Sequence, residues 1–370
     1  MQTSFTKVLS LIFSILVAIP LLPAALFQYT GDYFDCKTVQ TQRLKAMRNG
    51  KINIVDEQSF ASFNLSDKTI KYNEVRMLTT HNSYKKALSE RIYKLSTLVF
   101  GPDKFKSIMY EHDTPVKQLE NGVRGLELDL RWQYNGFKIF HSPMPDNLSN
   151  SPDWKMTLEE LSLWSDANPN HVPITILVEF KNDDPYRNLL FKKMDASKFK
   201  ELDNTIKTIM GDKVLTAADL MGNYPTLAEM VKNNDWPTLS SLKGKFIFLL
   251  HPDAEYTDIY INMDKTLKTQ VFIPVFSIEN IESHYDYSAF ILYNNPDVDV
   301  IKDLVSKHYV VRTFIDNGQL YREDYKARAL ASGAQMLTTD LEKGVIMPKT
   351  DYAAYLEGNY TIIKDSKIQP

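Results

Sequence analysis

Short apolar runs alternate with helical stretches from residue 74 almost to the end of the chain, and this alternation constrains the fold most. The runs are short and rich in β-branched and aromatic residues, which is typical of strands. About eight strands alternating with helices over roughly 270 residues are the number and size expected of a (β/α)8 barrel. The sequence therefore predicts an α/β fold, a (β/α)8 TIM barrel, with one domain at residues 74–345. The predicted strands are Val75–Thr80, Leu126–Arg131, Phe137–Phe140, Ile174–Lys181, Lys245–Leu250, Phe272–Phe276 or alternatively Ala289–Tyr293, Tyr309–Phe314 and Ala334–Asp340.

Polar residues stand at the C-terminal ends of four predicted strands. Barrel active sites are built from these strand ends, so the four groups are expected to converge on one mouth. The residues are His81, Asn82, Glu127, Asp129, His141 and Glu179. The other histidines are predicted to be ordinary surface or loop residues, although one of them, His251, also follows a strand. They are His112, His171, His251, His284 and His308.

The predicted strand at Leu126–Arg131 carries charges on one face. Side chains alternate between the two faces of a strand, so Glu127, Asp129 and Arg131 share one face and the leucines share the other. Ionised carboxylates are costly to bury without a partner. Two interpretations follow. Either a cation or a reacting group lies opposite the carboxylates, or they form a salt bridge with Arg131 or Arg124.

The polar residues at the predicted mouth include a set of hard oxygen donors, one amide and three carboxylates. Such donors suit Ca²⁺ or Mg²⁺ and do not suit zinc. They belong to Asn82, Glu127, Asp129 and Glu179. Glu179 also shares a strand face with Lys181, with which it could form a structural ion pair instead.

The single cysteine, Cys36, excludes an intrachain disulfide and a cysteine-built zinc site. His81 and His141 would flank a metal and could transfer protons, which favours phosphodiester chemistry.

The net charge and the N-terminal sequence indicate which partners the protein can bind and where it is located. The net charge of −3 provides no basic field of the kind that nucleic-acid binding requires. Residues 8–27 form a charge-free apolar run that is long enough to span a bilayer. The run also resembles a long secretory signal, with a poor cleavage candidate at Pro23-Ala24-Ala25. Both interpretations predict export, as a secreted, periplasmic or cell-envelope protein, and the choice between a cleaved signal and a retained anchor stays open.

Motifs in a fixed order carry a resemblance to a known family. The first four are Thr80–Tyr84, Gln118–Asp129, Phe140–His141 and Leu177–Lys181. Together they resemble the catalytic barrel of calcium-dependent phosphoinositide-specific phospholipase C, and the closest match is the bacterial single-domain type. Three further segments are similar to the last two strands of that group, so the resemblance covers about residues 74–345. These are Val311–Thr313, Ser332–Gln335 and Thr338–Asp340.

The resemblance implies a Ca²⁺-dependent enzyme that cleaves phosphatidylinositol at a membrane surface to diacylglycerol and a cyclic inositol phosphate. It implies that His81 stabilises the charged phosphoryl transition state and that His141 is the general acid for the departing diacylglycerol. It also implies Lys181 and Arg312 as contacts to phosphate or inositol. The implied Ca²⁺ ligands are Asn82, Glu127, Asp129 and Glu179, and one of these glutamates would help to deprotonate the inositol 2-hydroxyl.

The sequence also gives predictions for the segments outside the barrel and for the lipid substrate. Residues 1–27 are the signal or anchor, residues 28–73 a linker or lead-in, and residues 346–370 a C-terminal tail. The absence of a dense Lys/Arg group favours plain phosphatidylinositol over a polyphosphorylated lipid, and the protein is expected to be a monomer. An insert at Tyr93–Phe105 either packs on the barrel or forms a rim that contacts lipid. The alternatives are a glycerophosphodiester phosphodiesterase or sphingomyelinase-D-like barrel, and an inactive exported lipid-binding barrel.

Overall fold

A computed structural model of the chain describes most residues beyond the N-terminal segment. The predicted signal or anchor at residues 8–27 lies outside the described residues. Within the described part of the chain, no helix is long and apolar enough to cross a membrane. The described ranges are 30–101, 106–133, 136–142, 146–181, 192–316 and 318–364.

Parallel strands close into a barrel, which confirms the predicted (β/α)8 fold. The strands are β1 (Val75–Thr80), β2 (Gly125–Gln133), β3 (Gly136–Ile139), β4 (Ile174–Phe180), β5 (Val214–Leu215), β6 (Phe246–Leu250), β7 (Ile273–Phe276), β8 (Phe290–Leu292), β9 (Val310–Phe314), β10 (Met336–Thr339) and β11 (Ile362–Lys364). The barrel runs in the order β1-β2-β4-β6-β7-β8-β9-β10, and β10 pairs with β1 to close it. The barrel therefore has a C-terminal mouth at which its eight strands end.

Two strand assignments from the sequence need correction. The predicted strand at Phe137–Phe140 is not part of the barrel, because β3 forms an antiparallel hairpin with β2. Its four alternating residues do not reveal whether the partner strand is parallel or antiparallel. Phe272–Phe276 and Ala289–Tyr293 were alternatives for one strand, yet both positions hold barrel strands, β7 and β8. The predicted total of eight is right because these two errors cancel.

Helices cover the outside of the barrel. They are α1 (30–48), α2 (Glu90–Phe100), α3 (Pro115–Glu120), α4 (Trp154–Ala167), α5 (Ala196–Met210), α6 (Ala217–Met221), α7 (Leu227–Lys232), α8 (Ala254–Met263), α9 (Val298–Ser306) and α10 (Glu323–Ser332). Local sequence explains their starts. Thr114 caps α3 ahead of a proline in the first turn, and the Asp153 side chain accepts a hydrogen bond from the backbone N–H of Met156 at the start of α4.

Residues 30–48, within the segment predicted as a linker or lead-in, form the single helix α1 against the barrel. The Arg43 guanidinium pairs with the Glu160 carboxylate of α4, with 2.9 Å between Nε and Oε1. Leu44 and Met47 are buried. The segment therefore belongs to the packed domain, because its apolar stripe and its paired charges both contact the barrel layer.

The predicted C-terminal tail also contributes to the sheet. In β11, Lys364 pairs with Val75 in an antiparallel ladder at the start of β1. Since β1 starts at the face opposite the mouth, β11 ends at that opposite face.

Alternation along β2 directs its charges into the barrel. The side chains of Leu126, Leu128 and Leu130 are almost fully buried in an apolar cluster that includes residues of α4. Burying each leucine contributes about 1.5–3 kcal/mol, which fixes the face that packs outward. Glu127 and Asp129 consequently face the barrel interior.

Gly125 shows how tightly the interior is packed below these carboxylates. A Cβ atom at this position would lie 2.4 Å from Cγ2 of Thr79 and 2.6 Å from Oγ1 of Thr175. Glycine is required here because the three strands approach one another closely. The floor under the acidic residues is therefore filled, and the mouth is the side from which a ligand would approach them.

Candidate active site

The C-terminal mouth gathers the polar residues singled out in the sequence. His81 directly follows β1, and Lys181 directly follows β4. The register between β2 and β4 sets Asp129 beside Glu179. Arg312 lies in β9. The strands therefore bring together side chains that are far apart in the sequence.

The ring of His81 is held by Asp340, the residue that directly follows β10. Its Nδ1 lies 2.9 Å from Oδ1 of Asp340. Burial lowers the pKa of His81, but the carboxylates of Asp340 and Glu127 outweigh this effect and raise it overall. Burial likewise raises the pKa of Asp340, but His81 and neighbouring His112 hold it well below its usual range. The pair therefore favours an imidazolium beside an ionised carboxylate.

A second histidine, His112, lies in the buried layer beside Asp340. Its Nδ1 is 2.9 Å from Oε2 of Glu342, and its Nε2 is 3.8 Å from Oδ1 of Asp340. Burial lowers the pKa of His112, but the Glu342 and Asp340 carboxylates outweigh it and raise the value to about 10. His112 is a loop residue, as predicted, but it is fully buried and does not lie on the surface. Its charge supports the ionised Asp340 that holds His81.

Asn82 and Tyr84 connect the first strand end to the acidic residues. Asn82 has φ of 45°, a left-handed conformation that asparagine tolerates better than most residues. Its amide nitrogen donates to the Tyr110 hydroxyl at 2.8 Å, and its side-chain oxygen lies 3.3 Å from the Tyr84 hydroxyl. The Tyr84 hydroxyl also lies 2.7 Å from Oδ2 of Asp129. One tyrosine thus orients two predicted metal ligands.

Asp129 is the most deeply buried acid of the site. It has no exposed surface, and its Oδ1 has no hydrogen-bond partner among the described residues. Burial raises its pKa to about 6, although Lys181 acts in the opposite direction. An oxygen without a hydrogen bond in the interior is costly unless a cation or a donor binds it.

Two side-chain cations lie among the carboxylates. The Lys181 ammonium is 2.6 Å from Oε1 of Glu179 and 3.2 Å from Oδ2 of Asp129. The structural ion pair considered for Glu179 and Lys181 is therefore present. Nη2 of Arg312 lies 2.6 Å from Oε2 of Glu127. Burial lowers the pKa of Lys181, but the two carboxylates it contacts outweigh burial and raise it.

The two arginines proposed as salt-bridge partners for β2 have other contacts. Arg124 donates from Nε to Oε1 of Glu57 at 2.7 Å, on the side of the barrel away from the mouth. Arg131 donates from Nη2 to the backbone carbonyl of His141 at 2.6 Å. Arg131, which the sequence left unassigned, thus contacts the backbone of a predicted catalytic residue.

His251 joins the acidic group, contrary to the expectation from the sequence. It directly follows β6, and its backbone N–H donates to the carbonyl of Val178 in β4 at 2.9 Å. Ligand atoms of Glu127, Glu179 and His251 all lie within 4.8 Å of one another. Burial lowers the pKa of His251 despite the Glu179 carboxylate. His251, which the sequence did not assign to the site, therefore lies within this group.

His141 follows the β2–β3 hairpin and has an acidic partner of its own. Its Nδ1 lies 3.0 Å from Oδ2 of Asp146. The buried Lys85 ammonium lies 2.5 Å from Oδ1 of the same carboxylate. Lys85 belongs to the turn that carries Asn82, because its N–H donates to the Asn82 carbonyl. The loops that carry His81 and His141 are therefore linked through a buried ion pair.

A comparison with protein families identifies the family of the chain. The model of phosphoinositide phospholipase C, Ca²⁺-dependent, matches residues 70–134 and 131–365. The chain belongs to this family. Its relatives are phosphoric diester hydrolases that depend on Ca²⁺, so the predicted family, enzyme class and cofactor are confirmed. No curated protein sequence matches the chain.

Solved structures of this phospholipase C family show the same fold. A calcium-dependent phosphoinositol-specific phospholipase C from Pseudomonas sp. is 19% identical, with a TM-score of 0.57. The match covers 83% of this chain and 99% of that chain. A Ca²⁺-dependent phosphatidylinositol-specific phospholipase C from Streptomyces antibioticus is 20% identical, with a TM-score of 0.54. The match covers 74% of this chain and 95% of that chain.

The donor set at the mouth of this phospholipase C fits Ca²⁺. Calcium takes six to eight oxygen ligands, and the site offers carboxylates and an amide with no thiolate. The buried Oδ1 of Asp129, without a hydrogen-bond partner among the described residues, is a ligand atom that suits a cation. A cavity of about 210 Å³ lined by Glu179, Lys181 and His251 opens beside these acids. Water and a substrate oxygen could complete the coordination there.

Sequence reasoning missed four residues that lie in the site or contact its residues. His251 and Asp340 directly follow barrel strands, so the rule that selected His81 could have found both. Asp146 and His112 lie in long loops, and no local signal marks them. Their importance depends on contacts across the fold, such as the one between His112 and Glu342.

Proposed function

We propose that this chain cleaves phosphatidylinositol to diacylglycerol and a cyclic inositol phosphate in a Ca²⁺-dependent reaction. The observation that carries the proposal is the group of ionisable residues at the mouth. His81 pairs with Asp340, which follows β10, and His141 pairs with Asp146, whose ion pair with Lys85 joins its loop to the turn of Asn82. Histidines from two loops thus lie close to a set of carboxylates that suits a divalent cation.

The proposed Ca²⁺ ligands are Asn82, Glu127, Asp129 and Glu179. When bound, Ca²⁺ would lower the pKa of the attacking hydroxyl and offset charge on the phosphoryl group. Burial raises the pKa of the Glu179 carboxyl, but the adjoining Lys181 ammonium helps to hold it below its usual range, so the carboxylate stays ionised and can accept a proton. An ionised glutamate, Glu179 or Glu127, accepts the proton of the inositol 2-hydroxyl.

His81 stabilises the phosphoryl group as negative charge develops on it. With Nδ1 held by Asp340, the protonated ring carries a second N–H at Nε2, which donates to a phosphoryl oxygen. His141 acts as the general acid. The bond from the inositol 2-oxygen to phosphorus forms, the bond from phosphorus to the glycerol oxygen breaks, and His141 gives its proton to that oxygen.

Lys181 and Arg312 are the proposed contacts to phosphate or inositol. Both are cationic and lie at the mouth, and each pairs with a carboxylate of the site. Movement of either side chain toward the substrate would exchange a carboxylate for a phosphate oxygen, which is a similar partner for a cation. The sequence contains no dense Lys/Arg group, which supports plain phosphatidylinositol as the substrate.

We further propose that the enzyme is exported and works as a monomer at a membrane surface. The apolar run at residues 8–27 supports export. Leu98 on α2, which is 84% exposed, supports the lipid-rim interpretation of the insert at Tyr93–Phe105.

Identification of the products tests this function. The protein would be incubated with vesicles that differ in one lipid headgroup, with Ca²⁺ or with excess chelator, and products followed by ³¹P NMR. We expect a cyclic inositol phosphate from phosphatidylinositol and only with Ca²⁺. Release of glycerol phosphate or a cyclic lipid phosphate would instead support the glycerophosphodiesterase or sphingomyelinase-D-like alternative.

A further inference from the structure

We propose that residues 8–27 stay on the protein as a membrane anchor and that α1 holds the barrel mouth toward the bilayer carrying that anchor. The active site then acts on lipids of the same membrane. This inference extends the proposed function, because it states which lipid surface the site serves. It rests on the direction of α1, on the contacts of its first turns and on the short chain that joins it to the apolar run.

The direction of α1 follows from its contacts with α4. Successive positions of α1 contact successive positions of α4, so the two helices run the same way. The contacts are Lys37 with Asp153 at 2.7 Å, Gln40 with Thr157 at 3.0 Å and Arg43 with Glu160 at 2.9 Å. A helix that follows a barrel strand begins at the mouth end and runs back along the barrel. Since α4 follows the β2–β3 hairpin, α1 also begins at the mouth end.

The first turns of α1 contact the loop that carries His141. The Asn147 amide donates to Oδ2 of Asp32 at 3.0 Å. Asn147 directly follows Asp146, the partner of His141. The Lys138 ammonium donates to the hydroxyl of Tyr33. The start of α1 is therefore tied to the same loop as the predicted general acid.

The chain between the apolar run and α1 is short. Three residue steps join Phe27 to Thr30, and an extended chain spans at most about 3.6 Å per residue, or roughly 10 Å in total. A bilayer that holds residues 8–27 must lie near the start of α1, because so short a connection cannot reach around the barrel. The mouth therefore lies at the end of the domain nearest this bilayer, whichever side of the membrane the domain occupies.

Exposed apolar residues are also present at the mouth end. Leu320 is 66% exposed in the loop between β9 and α10, next to Gln319, whose amide donates to Asp340. Phe34 is 61% exposed on α1 itself. Apolar side chains beside an anchored end can enter the interface of the bilayer. These exposed apolar side chains would therefore face the membrane that holds the apolar run.

The opposite end of the barrel offers a reference position. Because α4 runs away from the mouth, Asn168, which directly follows it, lies at the opposite end. The amide of Asn168 donates to the backbone carbonyl of Asn53 at 3.1 Å. Neighbouring Ile54, 80% exposed, is therefore far from the mouth. The last strand, β11, ends at the same far face, so an anchor placed after Lys364 would hold the barrel the other way round.

Fluorescence quenching tests the orientation without requiring turnover. A fluorophore would be attached at Leu320→Cys or at Ile54→Cys, each in a Cys36→Ser background, and the full chain reconstituted in phosphatidylcholine/phosphatidylinositol vesicles with headgroup-nitroxide lipid. We expect the label at position 320 to lose most of its fluorescence and the label at position 54 to lose little. In the matched control, residues 8–27 are moved from the N-terminus to follow Lys364, and the order of quenching should reverse.

Three results would overturn the inference. These are equal quenching at both positions, stronger quenching at position 54 in the full chain, and an intact mass of the membrane-purified protein that lacks residues 1–27. Hydrolysis of a soluble short-chain phosphatidylinositol, measured on the same samples, separates this inference from the proposed function. Absence of turnover would refute the function, whereas the orientation would still be decided by the quenching pattern.

Discussion

The Lys181 ammonium lies 2.6 Å from the Glu179 carboxylate, inside the group of acids that fits Ca²⁺. A divalent cation that binds Glu179 must compete with this lysine. We therefore expect Lys181→Met to strengthen Ca²⁺ binding by roughly tenfold, which corresponds to about 1.4 kcal/mol. Isothermal titration calorimetry of Ca²⁺ binding measures this change directly. Lys193→Met is the matched control, because Lys193 pairs with Glu255 on the surface and should leave affinity unchanged.

One result would contradict this role of Lys181. If the affinity of Lys181→Met for Ca²⁺ equalled that of the unmodified protein, the lysine would not compete with the metal. Slower hydrolysis in this variant is still expected, since Lys181 is also the proposed phosphate contact. Affinity and turnover should thus change in opposite directions, which loss of folding alone would not produce.

Asp129→Asn should weaken Ca²⁺ binding much more than it weakens folding. Burial raises the pKa of Asp129 to about 6, so the ionised carboxylate destabilises the fold at neutral pH. The neutral amide removes that cost and can still accept a hydrogen bond from Tyr84. We expect Ca²⁺ affinity to fall at least about tenfold, while the free energy of unfolding at neutral pH does not decrease.

A control outside the mouth makes the Asp129 test specific. Burial also raises the pKa of Asp203, to about 7, between α5 and α8. Asp203→Asn should leave Ca²⁺ affinity unchanged in calorimetry. Unchanged affinity in Asp129→Asn would show that Asp129 is not a ligand.

The folded state should lose stability as pH rises toward 10 because of His112. Its pKa is raised from about 6.5 to about 10, so its stabilising contribution is complete below pH 6.5 and is lost as pH rises through 10. The slope from one such group is at most about 1.4 kcal/mol per pH unit. Urea unfolding between pH 6.5 and 10 should show a steeper decline for the unmodified protein than for His112→Gln. His284→Gln, on the surface, should behave like the unmodified protein, and equal slopes in all three proteins would refute this role.

Asp146→Asn should impair protonation of the leaving group by His141. We expect cleavage of phosphatidylinositol to slow by about tenfold or more, within the range that general acid catalysis contributes. An aryl inositol phosphate, whose leaving group needs no proton, should be cleaved at a nearly unchanged rate. Asp258→Asn is the matched control, because Asp258 also pairs with a histidine, His284, but on the surface. Equal losses on both substrates would mean that Asp146 acts on folding and not on proton transfer.

Local periodicity was sufficient to predict the barrel and part of its site. Alternation along β2 assigned Glu127 and Asp129 to one face, because the leucines between them must pack outward. The same local reasoning could not assign β3, since a short alternating run fits a hairpin as well as a barrel strand. It also could not separate β7 from β8, which are short and weakly marked.

The remaining parts of the site depend on contacts between distant residues. Asp340 meets His81 only because β10 closes the barrel against β1. His112 gains its raised pKa from Glu342, and Glu127 finds its arginine, Arg312, on β9. No local pattern contains these pairs, so they follow only from the closed fold.

The dependence of phosphatidylinositol hydrolysis on free Ca²⁺ is the sharpest test of a metal-assisted phospholipase C. Initial rates would be measured on phosphatidylinositol vesicles over buffered Ca²⁺ concentrations, with the protein lacking residues 1–27 as a second sample. We predict that activity rises over the micromolar to millimolar range expected of an open site with few protein ligands and stops in excess chelator. Full activity in excess chelator would show that the reaction does not need the metal.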